Sequence, residues 1–185
     1  MIQNEVTKAI AARRSVRNYT PRPLTTEELE TILECGQLAP SGLNGQQWFV
    51  AAIRDPDLLR RISREQKEAM RSMPDLPESM RARAADPAFD ATFGAPAVLL
   101  VTSPGTRGTT DACLLGENMV LAAQSLGLGT CISGSICMAF QGEKGEALLR
   151  SLGVPEGYAP VFAITVGEPG EAPAAKPREK KYVII

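Results

Sequence analysis

Three arginines and a serine fall within residues 13 to 17, in the run RRSVRNY. A guanidinium is a planar fork able to donate two parallel hydrogen bonds to an oxyanion, and a serine hydroxyl adds another donor. A second basic run, KPREKK at 176–181, brings Lys176 and Arg178 late in the chain. Each run alone has a plainer reading. Arg13 to Arg17 suit a solvated helix end favoured by the helix dipole, and KPREKK suits a solubilising tail. Between them lie SGLNGQ at 41–46, turn chemistry whose glycines can adopt positive φ, and GLGTCISGS at 127–135. The second of these follows a helix instead of a strand, so it is not a dinucleotide fingerprint, and no G-x-x-x-x-G-K-[ST] loop is present.

Histidine is absent from all 185 residues. That excludes Ser-His and Cys-His nucleophile pairs and His-ligated zinc or haem, and it removes the commonest proton carrier near neutral pH. Cys35, Cys113, Cys131 and Cys137 contain no Cys-x-x-Cys pair and read as buried free thiols. An enzyme of this composition needs a cofactor to carry its chemistry. The balance of 20 Lys and Arg against 21 Asp and Glu leaves a net charge of −1, so no global field draws the chain to nucleic acid or an anionic membrane. No apolar run approaches the ~20 residues that span a bilayer. The opening residues, with Glu5 and no compact apolar centre, do not read as a secretory signal, and a cytoplasmic protein is expected.

The elements that must position these residues follow from periodicity. Ile2, Val6, Ala9 and Ile10 predict an amphipathic helix over 2–12. Thr25 with Glu28 forms a capping box for a second helix, with Leu29, Ile32, Leu33 and Gly36 inward and Pro40 beyond its end. WFVAAI at 48–53 predicts a strand, and Asp55-Pro56 starts a charged helix to about 73 with Leu59, Ile62, Ala69, Met70 and Met73 inward. Residues 74–96 hold four prolines and little periodicity, which suggests a mobile cover or surface excursion. AVLLVTS at 97–103 is a buried strand, 104–110 a loop, and 111–126 a helix apolar nearly all round, suited to the centre of the fold or a subunit interface. A short helix to Leu152 and a strand at 160–167 follow. The proline-rich tail, 168–185, predicts an extended arm ending in YVII, which needs a sheet edge to join. One domain, 1–167, with its arm, 168–185, is expected.

RRSVRNY, LAPSGLNGQQW, LGLGTCISG and the late KPR stand in the order and at roughly the separations seen in the FMN-dependent nitroreductase family, and the resemblance runs from about residue 7 to 178. It implies an α+β fold, a three-layer α/β/α arrangement around a mostly antiparallel sheet, in an intertwined homodimer with swapped C-terminal arms. It implies FMN as cofactor and NADH or NADPH as electron donor, with hydride passing to a nitroaromatic, quinone or similar flat acceptor. By the family pattern, Arg13, Arg14, Ser15 and Arg17 bind the ribityl-phosphate end, and Lys176 and Arg178 return to the phosphate. Pro40, Ser41, Gly42, Asn44 and Gln46 lie along the isoalloxazine ring from the other subunit. Cys131, Ile132, Ser133 and Gly134 cover its opposite face, and Gln66 or Lys67 is a candidate for its pyrimidine edge. Gln47 stands where the family commonly has proline, which bears on the turn before the strand. Other flavin reactions use the same scaffold: enone reduction, reductive dehalogenation, flavin fragmentation and oxidation of peptide heterocycles. A non-catalytic FMN-binding redox protein is the remaining alternative.

Overall fold

The computed structural model describes residues 2–185, with only the backbone of Arg107. Four strands, β1 (Phe49–Ile53), β2 (Ala97–Ser103), β3 (Gly129–Ser133) and β4 (Ala159–Gly167), form one sheet in the order β1-β2-β4-β3 with every pairing antiparallel. Every residue of β2 is buried because both faces of the sheet are covered. That makes its sequence a continuous apolar run instead of an alternating one.

Six helices supply the outer layers: α1 (Glu5–Ala12), α2 (Thr26–Gln37), α3 (Pro56–Ser72), α4 (Glu78–Ala85), α5 (Thr106–Ser125) and α6 (Gly142–Ser151). Leu99 and Val101 of β2 join Leu29, Ile32, Leu115 and Met119 in the core beneath α2 and α5. Val98 and Leu100 join Leu59, Ile62, Phe140 and Leu148 on the other side, beneath α3, α6 and the short 3-10 helix Ser135–Phe140. The expected three-layer α/β/α architecture is therefore present. Gly36 sets the distance between α2 and α5, since a β-carbon there would stand 2.6 Å from Met119.

Local chemistry fixed most boundaries. The Thr25–Glu28 capping box and the Asp55 cap with Pro56 at the first turn open α2 and α3 as expected. Helix α1 starts at Glu5, later than expected, because Asn4 caps it and exchanges hydrogen bonds with Thr7. Its apolar residues are left largely uncovered among the described residues: Ile2, Val6 and Ile10 are all exposed. The loop expected at 104–110 is shorter, because Gly105, at φ 138, already serves as the N-cap of α5. Met73 does not point inward; it is the exposed C-cap of α3. Within the glycine-rich 127–135 run, Gly129–Ser133 form the edge strand β3.

The 74–96 segment is a surface excursion, but it holds helix α4 and is fastened down. Lys67 Nζ donates to the carbonyls of Asp86 and Pro87 at 3.3 and 3.2 Å, Arg71 Nε donates to Ala84 O at 2.9 Å, and Ala91 N–H donates to Ser63 Oγ at 2.9 Å. Past β4, the chain turns back along residues 17–20 through the Tyr19–Pro169 bridge and then continues without regular structure. Residues 182–185 are exposed and pair with no strand among the described residues.

Candidate functional site

Ser15 pairs in parallel with Thr130 at the start of β3, and Val16 N–H donates to Thr130 O at 2.9 Å. This anchors the arginine run to the sheet. Gly129 makes the approach possible, because a β-carbon there would lie 2.8 Å from Val16 Cγ2. Tyr19 completes the anchor: its hydroxyl donates to Val16 O at 2.9 Å and lies 2.8 Å from Thr165 Oγ1. Burial pushes the Tyr19 phenol up, so it stays neutral.

The tail passes the other side of the same run. Thr20 N–H donates to Glu168 O at 3.0 Å, Gly170 N–H to Asn18 O at 2.8 Å, and Arg17 N–H to Glu171 Oε1 at 2.6 Å. The result is a cleft of about 620 Å³ lined by Arg13, Arg14, Ser15 and Arg17, by Lys176 and Arg178, and by Ile10, Ala11 and residues 173–175. Among the described residues five cations line it and no carboxylate does, a local excess of positive charge in a nearly neutral chain. The helix-end reading of the arginines holds in part. Arg14 Nη1 donates to Ala11 O and Arg13 O, both at 2.7 Å, which satisfies the last carbonyls of α1 and fixes the guanidinium at the cleft wall.

Cys131, Ile132 and Ser133 continue from Thr130 along β3, at the free edge of the sheet, and Gly134 follows at the start of the 3-10 helix. Thr130 O faces outward to Val16, so by strand alternation the peptide groups of Ile132 face the same edge. Ile132 is exposed, and the Ser133 and Ser135 hydroxyls are 3.1 Å apart. Burial pushes the Cys131 thiol up, against the opposing pull of Arg17, Ser15 and Arg13. Cys137 is pushed up to about 11 by burial. Neither is a thiolate near neutral pH, so neither is poised as a nucleophile.

Pro40, Ser41, Gly42, Asn44 and Gln46 lie elsewhere. Their loop leads into β1, the opposite edge strand, three inter-strand spacings or roughly 14 Å from β3. No loop residue lines the cleft. The loop has its own scaffold: Gly42 N–H donates to the Asp111 carboxylate at 3.2 and 3.3 Å, Gln46 N–H to Ser41 Oγ at 3.1 Å, and Trp48 Nε1 to Gln37 Oε1 at 2.8 Å. The expectation that its glycines take positive φ is corrected. Leu43, Asn44 and Gln46 do so, at 54°, 54° and 46°. Gly45 is at φ −71° and is needed for space, since a β-carbon would come within 3.0 Å of Gly42 O. With Gln47 in place of proline, the turn closes through Trp48 N–H to Gln46 O at 2.8 Å, and the strand follows directly.

Two further expectations meet the structure differently. Gln66 is buried, with its Oε1 unpartnered among the described residues, and Lys67 is turned onto the 86–87 carbonyls. Three site-building residues were not singled out by sequence reasoning: Thr130, Asp111 and Glu171. Nothing in a single sequence couples positions 42 and 111 or 17 and 171.

The sequence profile of the Nitroreductase family matches residues 10–168. The chain belongs to the nitroreductase family. Among its relatives, FMN reductase (NAD(P)H) of Bacillus subtilis is 32% identical, over 95% of this chain and 70% of that protein. The putative NADH dehydrogenase/NAD(P)H nitroreductase of Archaeoglobus fulgidus is 32% identical over 89% of this chain and 86% of its own length. Among solved structures, a nitroreductase with bound FMN from Bacteroides fragilis superposes with a TM-score of 0.90 at 29% identity, covering 99% of both chains. The family assignment and the sheet order agree on the α+β nitroreductase fold. No helix among the described residues is long and apolar enough to cross a membrane.

Proposed function

We propose that this nitroreductase-family chain is an NAD(P)H-dependent FMN oxidoreductase that passes hydride to a flat, electron-poor acceptor, a nitroaromatic or quinone. Free flavin belongs to the same class of acceptor, and the Bacillus subtilis relative is named for reducing it. The observation that carries the reading is the meeting of the early and late basic runs in one carboxylate-free cleft. Its cations and hydroxyl suit a phosphate monoester, and its volume falls in the range of cofactor sites.

FMN, when bound, supplies the hydride chemistry, accepting from NAD(P)H and delivering to the acceptor, so no side chain need act as nucleophile or proton relay. The residues of the chain bind, orient and tune. Arg13, Arg14, Ser15, Arg17, Lys176 and Arg178 hold the phosphate end by charge-assisted hydrogen bonds. Ile132, on the strand edge, offers an N–H donor fixed in place before binding, the arrangement that stabilises developing negative charge without reorganisation, and Ser133 and Gly134 continue the same segment. The Pro40–Gln46 loop serves the site of a second subunit. The exposed face of α1 and the 168–185 arm supply apolar surface for the same homodimer. Four free thiols suit the reducing conditions of the cytoplasm.

The purified protein is expected to be yellow with one FMN per chain, to bleach anaerobically with NADH or NADPH, and to regain colour with a quinone or nitroaromatic. A colourless protein that takes up no added FMN, or a flavin left oxidised by both nicotinamides, overturns the reading.

A further inference from the structure

A second hollow, also of about 620 Å³, opens where β1 ends and β2 begins, between the N-terminal half of α3 and the 87–96 segment. It shares no lining residue with the arginine cleft. Arg54, Arg60, Arg64 and Lys67 line it together with apolar surface from Pro21, Pro23, Pro56, Leu59, Phe89 and Pro96. The three cations on α3 fall at i, i+4 and i+7, on one stripe of the helix. Like charges at that spacing repel and destabilise the helix, a cost that a bound anion relieves.

The carboxylates nearby only partly offset this charge. Arg60 pairs with Asp57, and Arg64 with Glu65 at 3.3 Å. Asp90 lines the hollow, but its oxygens are spent on the turn that follows: Thr92 N–H and Oγ1 and Gly94 N–H donate to it at 2.8 to 3.0 Å. Arg54 and Lys67 have no carboxylate within 4.0 Å among the described residues. Lys67 Nζ is held by the 86–87 carbonyls and stands 5.8 Å from the centre of the Phe89 ring, so charge and aromatic surface meet in one wall. Flat proline and aromatic faces beside cations that carboxylates only partly offset fit one class of ligand.

We propose that this hollow is a second binding site, for a small flat organic anion, with its carboxylate or phosphate on Arg54, Arg64 and Lys67 and its apolar body against Phe89 and the prolines. The site is separate from the hydride-transfer site and does not depend on the cofactor reading.

The test is an amide NMR titration of the FMN-supplemented protein with phenyl phosphate, benzoate, neutral benzamide and inorganic phosphate. Phenyl phosphate or benzoate is expected to shift the Ala88, Thr92 and Gly94 amides saturably below roughly 10 mM, with benzamide and inorganic phosphate about tenfold weaker or worse. Which of the two anions binds more tightly identifies the headgroup. The double variant Arg54→Ala/Arg64→Ala, altered at exposed side chains, is expected to lose about tenfold in affinity with its FMN spectrum unchanged. Lys67→Ala, measured separately, is expected to weaken the same shifts. The proposal is overturned by no saturation, by shifts confined to Ser15, Thr130 and Ala174, by an equal response to inorganic phosphate, or by full affinity in the double variant. Because the readout is binding at named amides, a failure of turnover leaves this result standing.

Discussion

The arginine cleft and the Pro40–Gln46 loop carry residues of one proposed site, yet the chain builds them in opposite ways. The cleft is closed from within. Its two basic runs lie at opposite ends of the sequence and are brought together by hydrogen bonds between 16–20 and 168–171 and by the Ser15–Thr130 pairing. The loop is presented outward. Leu43, Asn44 and Gln46 take left-handed backbone conformations, and Leu43 is almost wholly exposed, while Asp111 and Trp48 brace the loop from behind. Left-handed φ disfavours a bulky residue such as leucine. A braced loop with nothing in front of it suits a surface that another subunit completes.

Removing charge from the cleft should have the largest effect. Lys176→Ala/Arg178→Ala deletes two exposed cations, each offering a charge-assisted hydrogen bond of about 1.5–3 kcal/mol. FMN affinity should fall by about a hundredfold or more, measured by fluorescence titration, while the melting temperature of the FMN-free protein stays close to wild type. An unchanged FMN affinity would break the comparison at its cleft side.

Mixing subunits tests the other side. Co-expressing Lys176→Ala/Arg178→Ala chains with chains altered in the loop at Asn44→Ala, and purifying the mixed dimer by two tags, should give one damaged and one intact FMN site per dimer. Tight FMN stoichiometry of about half that of wild type is expected. Two weakened sites and no intact one would place the loop and cleft of a site on the same chain.

A milder perturbation targets the joint between the arginine run and β3. Gly129→Ala places a methyl group 2.8 Å from Val16 Cγ2. Overpacking of this kind costs about 1–3 kcal/mol, to be read as a lower urea midpoint, with FMN bound several-fold more weakly. Adding Val16→Ala should recover part of both losses, which distinguishes this clash from general damage. The equivalent change at Gly42, where a β-carbon meets nothing, should be much less destabilising.

The smallest effect concerns the 87–96 segment, which belongs to neither region. Burial alone would raise the Asp90 carboxyl, but donation by Thr92 and Gly94 outweighs it and holds the group below its usual value of 3.8. A carboxylate depressed in the folded state stabilises above its unfolded pKa, and that contribution is lost as pH falls through the folded pKa. The stability difference between wild type and Asp90→Asn should therefore be constant from pH 7 to about pH 5 and shrink below about pH 4. Melting curves across that range check it. A difference that grows on acidification would contradict the sign.

Much of the fold was legible because its signals are local. The Thr25–Glu28 box, Asp55-Pro56 and the uninterrupted run of β2 each report on their own few residues, and each stands in the structure as expected. Where the reading slipped, the competing chemistry was also local but ambiguous. Asn4 overrode the apolar period of α1, a single glycine at 105 both ended a loop and capped a helix, and CISGS gave no strand signal strong enough to outweigh its glycine and serines. The glycines of the loop were misassigned because glycine serves two purposes, positive φ and close approach, and only coordinates distinguish them.

By itself the sequence determined that this chain lacks the side chains for nucleophilic or metal chemistry based on histidine, that its charge acts locally, and where most of its helices and strands lie. These follow from residue type and short-range order, which no packing can alter. The tertiary structure decided which basic runs share a cleft, which loop stands outside it, and that a second set of cations surrounds an apolar hollow. Such facts depend on strand order and on contacts between residues far apart in the chain, where hydrogen bonding and close packing, not composition, choose the partner.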